Sequence, residues 1–521
     1  MLKKYFIAMT LNLYFVSTCV SATVYPLGIL NNHYSVQHQG NNSYQLILIQ
    51  PDVLSIFLNG LNAGYTIALY DQKNFLLDSS NCLGVVDYAY RGPKPKDGPI
   101  VLFLKPGNYT IQVTHSPIHP ALRYRNTDMT YTLNLLLDHA PKTLVVAASD
   151  SAVVGQPLLS GNGKNDTQML NDAITLLKKM QGGTLILRPG TYHINESILT
   201  TLNNLTVTGT GWRTVLRLTD GAKLYRAGIF RSRFMDNAPN DKQRYFSNQH
   251  FMHLAMDGNK MSKPYYQTAV GNFGTYLDSS FEDIHMHHFP RYGFDPHGND
   301  FGPTTTKRLT IKNCLADHND EDGIVCDTCA DSLIQNNITD ANGRHGINIC
   351  TGALNNIVER NVVTNNGVNG ITVQPGQAHG LLLSNNNKLS LNFISNNLRS
   401  GIYIYHGHLN TVLNNKIGYS GENDIHARAV TNNLIQNNMI YNQSARGMLK
   451  TAIYLSATDL GSTFNQIISN HIQAANKGTY EYAIAESSGA NDYNLFADNH
   501  LPYPQTPIRV VGVHTQTRNN Q

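Results

Sequence analysis

Asparagine recurs in this chain at a nearly fixed interval. Asn313, Asn337, Asn361, Asn392, Asn415, Asn438 and Asn470 each sit before or beside a short apolar strand, at separations of 24, 24, 31, 23, 23 and 32 residues. A second column keeps the same step, since the glycines before Ile324, Ile347, Ile371 and Ile402 advance by 23, 24 and 31. Two columns in phase define one coil of about 24 residues, with a loop of seven or eight added to some coils. A unit this short cannot bury its apolar side alone, so the coils must stack. Asparagines stacked at one turn can then hydrogen-bond to the coils above and below as a structural ladder. The predicted fold class is therefore all-β, a right-handed parallel β-helix with a smaller N-terminal β-sandwich domain.

Composition agrees. Only 14% of residues are charged, with plentiful Gly, Asn, Tyr and Thr, which disfavours long amphipathic helices; a hydrophobic content of 41% over 521 residues supports a sizeable core. Residues 23–150 alternate short β-like runs with turns, as in Val101-Leu-Phe-Leu, Lys105-Pro-Gly-Asn and Tyr109-Thr-Ile-Gln-Val. This spacing predicts a β-sandwich acting as a packing or carbohydrate-binding module. After Asn165-Asp166-Thr167, the positions of Leu170, Ile174, Leu176 and Leu177 predict a short amphipathic helix capped by Asp166 or Thr167. The strand, turn and strand from Gly182 to Tyr192 follow it. The helix is expected to cover the open end of the first coil, which otherwise exposes a sheet edge. The β-helix is accordingly assigned to residues 151–521.

Residues 1–22 read as an export signal, with Lys3 and Lys4 ahead of an apolar run from Tyr5 to Val20 and cleavage after Ala22; lipidation at Cys19 is the alternative. No later segment approaches the ~20 continuous apolar residues needed to span a bilayer. A periplasmic or secreted protein without membrane attachment is expected. Loss of Lys3 and Lys4 lowers the net charge from +4 to +2, too little to indicate nucleic-acid binding. Five cysteines would remain (Cys82, Cys314, Cys326, Cys329, Cys350), too few for a disulfide framework. Cys326 and Cys329 have the spacing of a zinc half-site or redox motif but lack a strong second pair, so they read as packed or turn thiols, with room for one disulfide.

The glycine column sets the register of the site. Phe294, Ile324, Ile347, Ile371 and Ile402 should point into the coil, with Pro296, Cys326, Ile349, Val373 and Ile404 two positions on. Asp295, Val325, Asn348, Thr372 and Tyr403 then face outward, beside His297, Asp327, Cys350, Gln374 and Tyr405. The residues before the glycines, Tyr292, Asp322, His345, Asn369 and Ser400, form a third outward column. With coils ~4.8 Å apart, Tyr292, Asp295, His297, Asp322, Asp327, His345 and Asn348 make one patch. Isolated histidines such as His287, His318 and His406 read as structural.

The segments Tyr292-Gly-Phe-Asp-Pro-His297, Asp322-Gly-Ile-Val-Cys-Asp327 and Arg344-His-Gly-Ile-Asn348 resemble the catalytic motifs of the mannuronan C5-epimerases, which convert β-D-mannuronate to α-L-guluronate within alginate. The resemblance is strongest over residues 250–376, weaker along 150–500, and absent from 23–150. It implies that Tyr292 and His297 are the proton-transfer pair, that Asp295 and His345 complete the catalytic core, and that Arg344 engages a substrate carboxylate. Asp327 aligns with a further active-site acid, and Asp322 and Asn348 lie with it among the substrate-binding residues. Asp257-Gly-Asn259 followed by Ser262-Lys263 is similar to a segment that contributes a lysine, making Lys263 the expected counterpart, with Lys260 as the other choice. The chain departs from the pattern at Gly298, where the family commonly has an acid, and in an insertion from Asn299 to Thr306. No cofactor is required by this reading, no metal-ligand set is assigned, and calcium is optional, because glycine- and aspartate-rich calcium nonapeptides are absent.

Elementary chemistry asks for the same residue types. The carbon-5 proton of a uronate is only weakly acidic beside a negative carboxylate, so a cation must neutralise that charge. Arg344 and Lys263 suit the task. Epimerisation further needs a base and an acid on opposite faces of the sugar, roles open to Tyr292 and His297 in either order. The expected partner is an acidic polysaccharide. Three other readings stay open. A polyuronate lyase would expel the 4-linked sugar, a pectin-type hydrolase would use Asp322 and Asp327 as paired acids, and a glycan-binding β-helix would have no catalysis.

Overall fold

The computed structural model describes residues 23–521 except 31–32, 49–51, 60–64, 83–99, 105–106, 116–129, 139–142, 152–158, 180, 225–227, 233–244, 262–268, 299–304, 377–381, 443–449, 475–479 and 502–506. The expected signal peptide, Cys19, Lys263 and most of the Asn299–Thr306 insertion lie outside the described residues. Among the described residues no helix is long and apolar enough to cross a membrane.

Among the described residues, nine strands from Thr23–Ile29 to Thr130–Asp138 form a five-stranded and a four-stranded sheet. Alternate residues such as Tyr44, Leu46, Leu54, Ile56, Leu133 and Leu135 are buried in one shared core, which makes this a β-sandwich. The strand Thr143–Ala147 pairs with Gly183–Leu187 of the first coil, so the large sheet begins before residue 151.

The rest is a parallel β-helix. Each coil sends two short strands to one long sheet, one strand to a twelve-stranded sheet, and one or two residues to a third side. Leu333–Gln335, Ile338–Asp340, Ile347–Cys350 and the bridge at Leu354 show one such circuit. Parallel crossovers of this kind take the right-handed course. The helix Thr167–Lys179 buries Leu170, Ala173, Ile174 and Leu177 over the first strands. The carbonyl of Asp166 accepts the first helical hydrogen bond, from Leu170. Its buried carboxylate turns away from the helix and accepts the N–H groups of Asn162 and His193 (both 2.8 Å), tying the helix to the first coil.

The register follows the glycine column. Phe294 pairs with Ile324, Ile324 with Ile347, and Ile347 with Ile371, and all four are wholly buried in one interior column. Glycine is needed at this corner because a Cβ on Gly323 would lie 2.9 Å from the carbonyl oxygen of Gly346 on the next coil. The outward column is also in register, but Asp295, Val325, Asn348 and Thr372 are not solvent-facing, being only 4%, 2%, 2% and 0% exposed. Side chains stacked on successive rungs cover one another, and the column before the glycine leans across them.

Among the described residues asparagines form three ladders, where one was expected. The counted one runs Asn337, Asn361, Asn392, Asn415, Asn438, Asn470 and Asn499, each Nδ2 donating to the next Oδ1 at 2.9–3.0 Å. Others run through Asn319, Asn342, Asn366 and Asn397, and from Asn356 to Asn494. Asn313 is not a rung. It belongs to the left-handed position just before each rung, with φ 56°, as does Asn336; Cys314 occupies the rung, its N–H donating to Asn337 Oδ1 at 2.9 Å. The recurrent Asn-Asn pairs thus divide two tasks, since the first adopts the turn conformation that asparagine tolerates and the second builds the ladder. Asn415→Ala is expected to cost about 2–3 kcal/mol, because it strands the buried Leu389 carbonyl and the Asn392 N–H. Urea denaturation followed by circular dichroism measures this, and a change under about 0.5 kcal/mol would deny the ladder its stabilising part.

Cys314, Cys326, Cys329 and Cys350 are buried free thiols packed within the β-helix.

Candidate active site

Four strands of the twelve-stranded sheet, Phe294–Pro296, Ile324–Asp327, Ile347–Cys350 and Ile371–Gln374, carry the expected patch. At its centre stands Asp322, wholly buried. Its carboxylate accepts Nε and Nη2 of Arg344 (2.7 Å for Nε), the backbone N–H of His345 and Nδ2 of Asn348 (both 2.9 Å). Burial by itself would raise the carboxyl pKa, but the charges and donors of Arg344, His345 and Asn348 outweigh it and hold the group below the usual carboxylate range. The bidentate fork of Arg344, expected to face substrate, is therefore turned on Asp322. Its Nη1 lies 3.5 Å from Glu321.

His345 is locked by its neighbours. Nδ1 accepts the backbone N–H of Asn369 (3.3 Å) and faces the Thr372 hydroxyl (3.2 Å), which places the ring proton on Nε2. Burial pushes its pKa down to about 4, so the ring is neutral at neutral pH.

The Tyr292 hydroxyl accepts Nη2 of Arg291 at 3.0 Å and Nη2 of Arg344 at 3.3 Å. The Arg291 guanidinium also lies over the ring, 4.5 Å from its centroid. Burial raises the phenol pKa against the pull of both cations, leaving it protonated at neutral pH. Across the patch, His297 Nδ1 is 3.1 Å from Asp327 Oδ2 and 3.6 Å from Asp295 Oδ1, and its ring stacks on Phe273 with centroids 5.1 Å apart. Burial raises the pKa of Asp327, with His297 opposing.

The structure thus gathers Tyr292, Asp295, His297, Asp322, Asp327, Arg344, His345 and Asn348 on neighbouring rungs. Lys263 is outside the described residues, and Lys260 is engaged elsewhere, its Nζ donating to the His318 carbonyl and, at 2.8 Å, to Asp320. Sequence reasoning missed Arg291 and Glu321. Their backbones pair in the order Arg291, Glu321, Arg344 on consecutive coils, forming a corner column of alternating charge two positions before the glycine. That column was present in the sequence once the glycine register was drawn.

Residues 304–459 match the family described as periplasmic copper-binding protein (NosD). The chain is 31% identical over 205 residues to mannuronan C5-epimerase AlgE6 of Azotobacter vinelandii, a match covering 37% of this chain and 22% of that protein. It is 30% identical over 207 residues to alginate lyase 7 of the same organism, again covering 37% and 22%. The chain therefore spans about a fifth of the length of these curated relatives. The solved A-module of Azotobacter vinelandii AlgE6 superposes with a TM-score of 0.61 at 25% identity, covering 68% of this chain and 95% of the module. In sequence and in its parallel β-helix the chain is thus similar to the mannuronan C5-epimerases.

Proposed function

We propose that the protein epimerises β-D-mannuronate to α-L-guluronate within alginate, working in the periplasm or outside the cell, with no required cofactor and with calcium optional. The observation that carries this reading is the Tyr292 phenol held between two guanidiniums while His297, on the same sheet, sits against two carboxylates. The homology to epimerases supports the substrate class. Arg291, Arg344 and Lys263 supply the positive field that neutralises the uronate carboxylate, Arg344 from within its pair with Asp322. His297 takes the carbon-5 proton, and Asp295 and Asp327 stabilise the imidazolium that forms. Tyr292, protonated at rest, gives its proton to carbon 5 from the other face, and Arg291 and Arg344 hold the resulting phenolate. Solvent then returns the proton from His297 to Tyr292.

A lyase shares every step before reprotonation, and the match to alginate lyase 7 favours it as the second reading. Polymannuronate in heavy water separates the two. Guluronate deuterated at carbon 5 in chains of unchanged length is the expected product. Unsaturated ends would establish the lyase, new saturated reducing ends a hydrolase, and binding without reaction a glycan-binding β-helix.

Arg344→Ala is expected to lower kcat/KM by ~2–4 kcal/mol in transition-state terms, and Arg291→Ala by somewhat less, since Arg344 also neutralises Asp322. Steady-state rates on polymer check this. Parent-like kcat/KM in both variants would remove the guanidinium pair from the mechanism.

A further inference from the structure

The stacking that builds the groove also places Asp257, His287 and Asp317 in one column of the long sheet, because Asp257 pairs with His287 and His287 with Asp317. His288 and His318 take the adjoining corner position, each with φ 55°. With His285, four imidazoles and two carboxylates meet on the turn that leads to Tyr292, and none of them has a part in the proton transfers above.

Nδ1 of His287 and Nδ1 of His288 face each other at 2.8 Å. A carboxylate oxygen of Asp257 is 3.8 Å from His287 Nδ1, and the three ligand atoms all lie within 4.8 Å of one another. Two imidazole nitrogens aimed at one point satisfy each other only while one of them carries the proton. A cation in place of that proton takes both lone pairs. Metal–nitrogen bonds of about 2.0–2.1 Å set tetrahedral ligands roughly 3.3 Å apart; the separations from His287 Nδ1, 2.8 Å to His288 and 3.8 Å to Asp257, lie on either side of that value, and the third is within 4.8 Å.

The surroundings hold both rings in place. Asp317 accepts from His285 through one oxygen and from His318 through the other, and those two rings pack against His287 (centroids 4.3 Å apart) and His288 (5.4 Å, near-parallel). The ring packing limits how far His287 and His288 can turn. The side chains of His287 and Asp257 are 18% and 15% exposed, so an ion can enter and water can complete its shell. A set of two imidazoles and one carboxylate suits zinc, copper or nickel and not calcium, which takes six or more oxygens.

We propose that Asp257, His287 and His288 bind one divalent transition-metal ion of the zinc class, joining two adjacent coils at the corner ahead of the groove. The site does not depend on the polysaccharide reading. The test uses the full chain, purified without a histidine tag and stripped with a chelator. Zinc titrated by calorimetry and cobalt followed by visible absorption should each bind at one ion per chain and raise the thermal midpoint. His287→Gln and His288→Asn should each weaken binding at least tenfold; asparagine at 288 tolerates the left-handed backbone, so that variant keeps the fold. His514→Asn, at a remote exposed histidine, should bind as the parent does. Absence of stoichiometric binding, displacement of cobalt by equimolar calcium, or parent-like affinity in both His287→Gln and His288→Asn would overturn the proposal.

Discussion

Incubated with polymannuronate in heavy water, the Tyr292→Phe protein is expected to place deuterium on carbon 5 at least ~10²–10⁴-fold more slowly than the parent. The substitution removes one hydroxyl and keeps the ring over which Arg291 lies, so the fold should be unaltered by circular dichroism. The loss follows from geometry, since among the described residues the Tyr292 oxygen is the one to which Arg291 and Arg344 both donate. His297→Ala should show a deficit of the same order, because it removes the opposite partner. Deuterium uptake at more than about a tenth of the parent rate in Tyr292→Phe, a loss below the range general acid catalysis commands, would exclude the phenol as a proton-transfer group.

Asp322→Ala should be the most damaging change to the site as a structure. Removing one member of a buried ion pair strands the other, and about 3 kcal/mol is expected here, at the low end of the range because Arg344 keeps part of its solvent contact. Activity should fall with it, since Arg344, His345 and Asn348 lose their common anchor. The pH dependence has a fixed sign. The Asp322 carboxyl is held below its unfolded value, so its contribution is complete above about pH 4 and is lost as pH falls through the lower folded value. The stability gap between parent and variant, from urea denaturation, should be full at pH 7 and smaller at pH 3. An equal gap at both would show that the charge of Asp322 is not what stabilises the site.

The proton-transfer reading and the metal reading concern different sheets and fail separately. Loss of deuterium incorporation leaves cobalt binding untouched, and the converse holds for His288→Asn, whose side chain is turned to His287.

What the sequence determined by itself was the set of columns. A coil of nearly constant length and a period of two along each strand suffice to say that Phe294, Ile324, Ile347 and Ile371 share an interior line, and that Tyr292, Asp322 and His345 share an outward one. Hydrogen-bond partners between columns were not determined in that way. Whether Arg344 turns its fork to the groove or to Asp322, and whether Asn313 or Cys314 is the rung, depends on local backbone twist at a corner, which spacing does not encode. The long sheet hides more, because loops stretch its coils. Asp257, His287 and Asp317 are separated by 30 residues each time and not by the common 24, so only parallel pairing, fixed by main-chain hydrogen bonds, brings them onto one line. Burial was decided there as well, since a side chain that points outward from one coil is covered by the next coil ~4.8 Å away.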